Sequence, residues 1–288
     1  MEQEKRNRWE VVLELAGPMQ IGAGTLGMVE QTEVYVPGRV VWGGLTNALV
    51  NEYGDGKPET YERVGNALGI YGEHCGTLFP STDAGKSVWR PRYSPNNNHR
   101  EWINSSDENK VLSESELRGK LVFTLTSTAY NPLQKEANET LHATDLVMHR
   151  VMEKEEKVIA PVCMKGCLDI PEKMKFGNEY IQLDASVLEE CFTKMRLGGG
   201  RKRGWGRIRP KEINEINADG IALKEASYNG YRWLLSPDYQ VQAGTKAYGR
   251  TNLAVYRVYK SGAWHNGFGQ GFSRPGYCWD VGTLLVTT

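Results

Sequence analysis

The residues of this chain whose types and spacing could do chemistry lie in Leu197-Gly-Gly-Gly-Arg-Lys-Arg-Gly-Trp-Gly-Arg-Ile-Arg209, where five glycines and five cations share thirteen positions. The chemistry they point to is anion binding. Gly198, Gly199, Gly200, Gly204 and Gly206 permit a turn in which the backbone comes close to a ligand. The amides of such a turn form an anion-binding concavity, and Arg201, Lys202, Arg203, Arg207 and Arg209 supply the charge that a polyanion seeks. Trp205 either stacks on a base or packs beneath the loop. No Gly-Lys-Ser/Thr follows the glycines and the helix precedes the loop, so neither a Walker loop nor a dinucleotide fingerprint fits. The bland alternative is a solvated hairpin with a charged tip.

Other clusters point less clearly to chemistry. His142-x2-Asp145-x3-His149 has metal-like spacing if the segment is helical, and His142, His149 or His265 could act as a general base. Cys163-x3-Cys167 has no second arm to complete a zinc site, and Cys75, Cys191 and Cys278 read as ordinary thiols. Glu30 and Glu33 are the nearest thing to a carboxylate pair, although a solvated acidic loop explains them as well. We therefore expect no metal and no cofactor.

The basic turn needs a frame. Asp184 to Leu197 reads as an amphipathic helix capped by Asp184 or Ser186, with Val187, Leu188, Cys191, Phe192 and Met195 at helical spacing. Trp205 to Ile216 reads as the strand that leaves the turn. Upstream, Trp9–Ala16 reads as a strand stopped by Gly17-Pro18, with a loop or short extended piece after it. A helix from Arg39 carries Val41, Leu45 and Leu49 on one face. Gly43 and Gly44 inside it cost about 1 kcal/mol each against alanine, which points to a close neighbour, either another backbone or a ligand. A second helix spans Thr60 to about Gly72. Residues 81–116 read as a long polar excursion, a functional loop or a partly disordered one, with Lys86, Trp89, Arg90, Arg92 and Tyr93 interleaved as if for bases and phosphates. Leu117–Ala129 and Lys157–Ile170 read as strands, and residues 136–150 are ambiguous.

The resulting order is β-α-β-β-α-β, which predicts an α+β protein with a ferredoxin-like (split βαβ, RRM-like) core. The expected organisation is a core over residues 1–216, with an insertion at about 81–116, and a β-rich extension or second small domain over 217–288. The 288 residues suffice for a sizeable core. The balance of 35 Lys+Arg against 35 Asp+Glu is neutral, so a basic surface must come from segregation. Residues 196–211 show it, with seven Lys/Arg and no acid. Five cysteines, an odd number, point to a reducing compartment. With no secretory signal at Met1–Arg8 and no apolar run of bilayer length, a cytoplasmic protein without membrane association is expected.

Three segments together resemble the RAMP superfamily of CRISPR-associated proteins: Pro18-Met-Gln-Ile-Gly-Ala-Gly24, Val36-Pro-Gly-Arg-Val-Val-Trp-Gly-Gly-Leu45 and the basic glycine turn itself. Leu141–Arg150 is similar to a middle segment of some members. The likeness covers about residues 9–216 and implies a subunit of a type III-like effector complex in antiviral defence. In that family such subunits hold guide RNA through its backbone, so the implied partners are CRISPR guide RNA, the other subunits and, through the complex, target RNA. By the same resemblance Arg39 joins the turn as an RNA contact, standing where the family has a small polar residue. Target-cutting members carry an aspartate before the Pro-Gly helix, whereas the connector Gly24–Val36 has only Glu30 and Glu33. Processing nucleases of the family place the glycine turn close to the C-terminus, and here almost eighty residues follow it. The implied function is a non-catalytic, RNA-binding ribonucleoprotein subunit, and the alternative is an endoribonuclease acting on guide precursor or target RNA.

Overall fold

In the first strand, β1 (Arg6–Leu15), Trp9, Val11, Leu13 and Leu15 are buried at every second position. This period-two pattern fixes which face of a strand looks inward. Val12, on the opposite face, is also fully buried, beneath Gly85. A strand covered on both sides belongs at the centre of a sheet, and β1 is hydrogen-bonded along both edges. The computed structural model describes residues 5–69, 74–94, 99–131, 136–151 and 160–217, with shorter segments between 225 and 285.

After β1 come a hairpin, β2 (Gly22–Leu26) and β3 (Val29–Thr32), then helices α1 (Gly38–Tyr53) and α2 (Pro58–Ala67) and the short β4 (Phe79–Ser81). Next are β5 (Trp89–Tyr93), β6 (Arg100–Asn104), β7 (Asp107–Ser113), α3 (Glu114–Leu121), β8 (Val122–Asn131) and β9 (Glu136–Val147). The last third of the core holds β10 (Cys163–Pro171), β11 (Lys173–Phe176), β12 (Glu179–Gln182), α4 (Ala185–Lys194) and β13 (Ile208–Ile216).

The central sheet has the order β13-β1-β10-β4, and every pairing in it is antiparallel. Its strands and the helices that link them follow one another along the chain as β-α-β-β-α-β, counting α1 with α2 as one helical layer. The protein is α+β, as expected. Val41, Leu45 and Leu49 of α1 and Leu188, Cys191 and Phe192 of α4 are all buried in one core with the inward face of β1. The i, i+4 and i, i+3 spacing of these residues makes each helix amphipathic. At the start of α4 the Asp184 carboxylate accepts from the Val187 amide at 3.0 Å, so of the two caps the sequence offers, Asp184 or Ser186, it is Asp184.

Residues 81–116 differ from expectation. They form the antiparallel sheet β5-β6-β7 followed by α3, which opens with a capping box between Ser113 and Glu116. Trp89 (2 % exposed), Tyr93 (1 %) and Trp102 (0 %) are core residues, so none of them offers a ring to a base. The predicted strand over Leu117–Ala129 accordingly starts late, because Leu117 to Leu121 complete α3. The ambiguous 136–150 segment is strand β9 up to Val147 and pairs with β8. Hairpins β2-β3 and β8-β9 join in a further sheet through the parallel pair β3-β9.

Of the C-terminal part, the strand-like runs at 221–223 and 255–259 and the segment around His265 lie outside the described residues. The described strands there make two small antiparallel sheets. Asp280–Thr283 lies against the inserted sheet. The Tyr93 hydroxyl donates to Asp280 Oδ2 at 2.6 Å, and the Tyr93 amide donates to the Gly282 carbonyl at 2.8 Å.

Candidate nucleic-acid interface

The basic turn runs from the end of α4 to the start of β13 and is clasped by the segment that follows β1. The Gly199 amide donates to the Gln20 carbonyl at 2.8 Å, and the Gly206 amide donates to the Pro18 carbonyl at 2.7 Å. The Leu197 amide closes the turn on the Gly206 carbonyl at 2.9 Å. Two of the three glycine-bearing segments singled out in the sequence are therefore one structural unit. Gly200 has φ 64°, and a Cβ there would overlap the Trp205 ring, so only glycine fits both the conformation and the space.

Trp205 is 8 % exposed, beneath Gly200 and with the Arg203 guanidinium 5.1 Å above its ring centroid. It packs under the turn and shapes it. Arg201, Lys202, Arg203 and Arg207 are exposed, and among the described residues none of them has an acidic partner. The Arg201 Nε donates to the Gly198 carbonyl at 3.2 Å, which holds that side chain across the turn.

The third segment, the Pro-Gly helix start, faces the turn across a cleft of about 770 Å³. Arg39, Trp42, Gly43 and Asn47 of α1 and Tyr61 of α2 form one side, and Gly198, Gly199 and Arg201 form the other. Polar contacts between the helices set its shape. The Trp42 indole donates to the Gly65 carbonyl at 2.8 Å, and the Tyr61 hydroxyl meets Asn51 Oδ1 at 3.0 Å.

The glycine pair in α1 divides in role. A Cβ on Gly44 would lie 2.8 Å from Met195 Cε, so Gly44 serves packing of α1 on the end of α4. Gly43 is exposed, lines the cleft, and has nothing within 4 Å of where its Cβ would be. Packing therefore does not account for Gly43. An open cleft floor does.

Among the expected RNA contacts, the structure gathers Arg39, Gly198, Gly199 and Arg201 around this cleft and keeps Lys202, Arg203, Gly204 and Arg207 on the exposed turn beside it. Arg209 stands apart, on β13 opposite Glu14 of β1, and lines a different cleft.

Among the described residues the catalytic and metal-binding candidates are not brought together. His142 and Asp145 lie on strand β9 and His149 just beyond it, so helical spacing does not apply. Asp145 receives hydrogen bonds from Arg118 at 2.7 Å and from Thr124 at 2.8 Å. Among the described residues no group of three His, Cys, Asp or Glu side chains could hold a metal ion. Glu30 accepts from the Gln20 side-chain Nε2 at 3.1 Å, whereas Glu33 turns to Arg100, 3.6 Å away. Burial raises the Glu33 carboxyl above the ordinary carboxylate range, against the opposing pull of Arg100. Cys75, Cys163, Cys167 and Cys191 are free thiols, and burial pushes Cys75 and Cys191 up to about 12, so neither is a reactive thiolate. No helix among the described residues is long and apolar enough to cross a membrane.

What sequence reasoning missed is a part-buried ionic cluster. Arg100 forks onto Glu114 at 2.8 and 2.9 Å and also meets Glu33 at 3.6 Å and Asp280 at 3.5 Å. The Trp102 indole adds a 2.5 Å bond to Glu114. Its signal was the acid Glu114 at the start of a capped helix, but the partners lie too far apart in sequence to be read together.

No protein-family model matches the chain, and no curated protein matches it in sequence. A solved structure, Type III-B Cmr-beta bound to cognate target RNA and AMPPnP, contains a chain that aligns over 96 % of this one and 85 % of its own length. The TM-score is 0.54 at 12 % identity. The two chains share their fold. In a second structure, of Type III-B Cmr-beta bound to cognate target RNA, the overlap spans 74 % of this chain and 62 % of the other at a TM-score of 0.36 and 14 % identity, and it adds nothing to the assignment.

Proposed function

We propose that this protein is a non-catalytic RNA-binding subunit of a type III CRISPR interference complex, built on a ferredoxin-like core over residues 1–216 with a β-rich extension over 217–288. In this reading it grips guide RNA by its backbone, meets target RNA through the complex, packs against other subunits, and acts in the cytoplasm in antiviral defence. The observation that carries the reading is the cleft in which Arg39, Gly43, Gly199 and Arg201 face one another beside three further cations that have no acidic partner among the described residues. Phosphate oxygens are the natural ligand for such a site, since guanidinium groups and turn amides both donate to them. The shared fold with a chain from an RNA-bound assembly supports the class of partner.

The test is charge reversal of Arg201 and Arg203 in the purified full chain, read as single-stranded RNA affinity over a salt series. Removing one phosphate-binding cation lowers the slope of log affinity against log salt by about 0.7, so the double variant should bind more weakly and with a slope lower by roughly 1.4. An unchanged affinity in a variant whose circular dichroism is native removes the proposal.

A further inference from the structure

A second cleft, of about 370 Å³, shares no lining residue with the first. Glu14 near the end of β1, His149 and Arg150 beyond β9, and Arg209 at the start of β13 supply its polar walls. The backbone fixes their places. Glu14 and Arg209 are directly opposed on the β1-β13 ladder, the His149 carbonyl accepts from the Val162 amide at 3.0 Å, and Arg150 bridges to Pro161.

Among the described residues the exposed Arg150 and Arg209 guanidinium groups have neither an ion pair nor a hydrogen bond. Guanidinium donors that line one polar cleft and have no protein acceptor are placed to take up an anion. Two guanidinium forks outweigh the single carboxylate, and their geometry matches the oxygens of a phosphate. The cleft exceeds what a bare phosphate needs, given that one water occupies about 30 Å³ of liquid. In the remaining space Glu14 can only accept hydrogen bonds when ionised, which suits a sugar hydroxyl and repels a second anion.

We propose that this cleft binds the phosphate and ribose of a ribonucleotide. Arg150 and Arg209 hold the phosphate, Glu14 accepts from a ribose hydroxyl, and His149 lines the site beside them. The site stands independently of the guide-RNA reading, because its residues and its test differ from those of the first cleft. Its ligand is either a free mononucleotide or a nucleotide within a strand.

The experiment follows the His149 ring signal by NMR in the full chain with labelled histidine, assigned with His149→Gln. Adenosine 5′-monophosphate, its 2′-deoxy counterpart, inorganic phosphate and a short single-stranded RNA are added in turn. The ribonucleotide or the RNA should move the signal, with the mononucleotide arm separating a free ligand from a strand. The exposed pair Arg150→Ala/Arg209→Ala should weaken that binding on the order of tenfold or more, since hydrogen bonds to charged groups are the strong ones. Lys173→Ala, on the β11-β12 hairpin outside both clefts, should leave it unchanged. A silent His149 signal with every ligand, full binding by the double variant, or an equal response to inorganic phosphate would overturn the assignment.

Discussion

Replacing Gly43 with alanine separates stability from ligand approach in a single methyl group. Gly43 lies inside α1, where glycine is disfavoured by about 0.8–1.0 kcal/mol relative to alanine. Its Cβ direction is empty to 4 Å, so the substitution meets no clash that would subtract from this gain. The variant should therefore be more stable by about 1 kcal/mol, seen as a melting temperature higher by about 2–4 °C in a chain of this size. The same methyl would stand on the wall of the cleft that Arg39 and Arg201 also line. If RNA passes close to the helix backbone there, overpacking of roughly 1–3 kcal/mol lowers affinity on the order of tenfold. Gly44→Ala is the comparison, because its methyl presses on the buried Met195 side chain rather than into open space and should weaken RNA binding less than Gly43→Ala does. Melting curves and fluorescence anisotropy with single-stranded RNA at one fixed salt concentration provide both readouts. A Gly43→Ala protein that melts higher and binds RNA as well as the parent refutes the argument for the cleft, and one that melts lower refutes the argument for the helix.

Two further outcomes concern the ionic cluster. Arg100→Ala leaves Glu33, Glu114 and Asp280 without their shared cation, and losing hydrogen bonds to charged groups in this part-buried cluster costs about 1.5–3 kcal/mol, measurable as a lower urea midpoint. Glu33 tests the sign of a raised carboxyl. Its folded-state pKa lies above its unfolded value, so its contribution to stability is full below the ordinary carboxylate range and is lost as pH rises through the raised value. Subtracting the pH profile of Glu33→Gln from that of the parent isolates this group, and the difference should turn against the parent as pH increases. A difference independent of pH between about 4 and 8, a window that opens near the ordinary carboxylate value, contradicts the burial argument.

The parts legible from sequence were those with a strong local cause. Asp184 followed by Leu188, Cys191 and Phe192 announces α4 through a cap and a face, and the five glycines beyond it announce a turn. In the inserted sheet, Trp89-Arg-Pro-Arg-Tyr93 did alternate in the manner of a strand, with Trp89, Pro91 and Tyr93 buried. The arginines between them suggested nucleic acid instead, because charge attracts attention before period does. β7 gave no cue, since it is exposed along nearly its whole length and is held by pairing alone. The hairpin partner β2 is exposed throughout for the same reason. The site divided similarly: the turn and Arg39 could be read from motifs, whereas the grouping of Glu14, His149, Arg150 and Arg209 comes from three separate strand ends. No local pattern encodes that meeting.

The tie between Arg100 and Asp280 spans 180 positions. At a synthesis rate of about 5–20 residues per second, a nascent chain carries its inserted sheet for roughly ten to forty seconds before residue 280 exists. During that interval the Tyr93 hydroxyl lacks its carboxylate and the Tyr93 amide lacks the Gly282 carbonyl. A later-made stretch thus works as a clasp on an earlier one, so a ribosome that stalls before residue 280 leaves a molecule with an open seam.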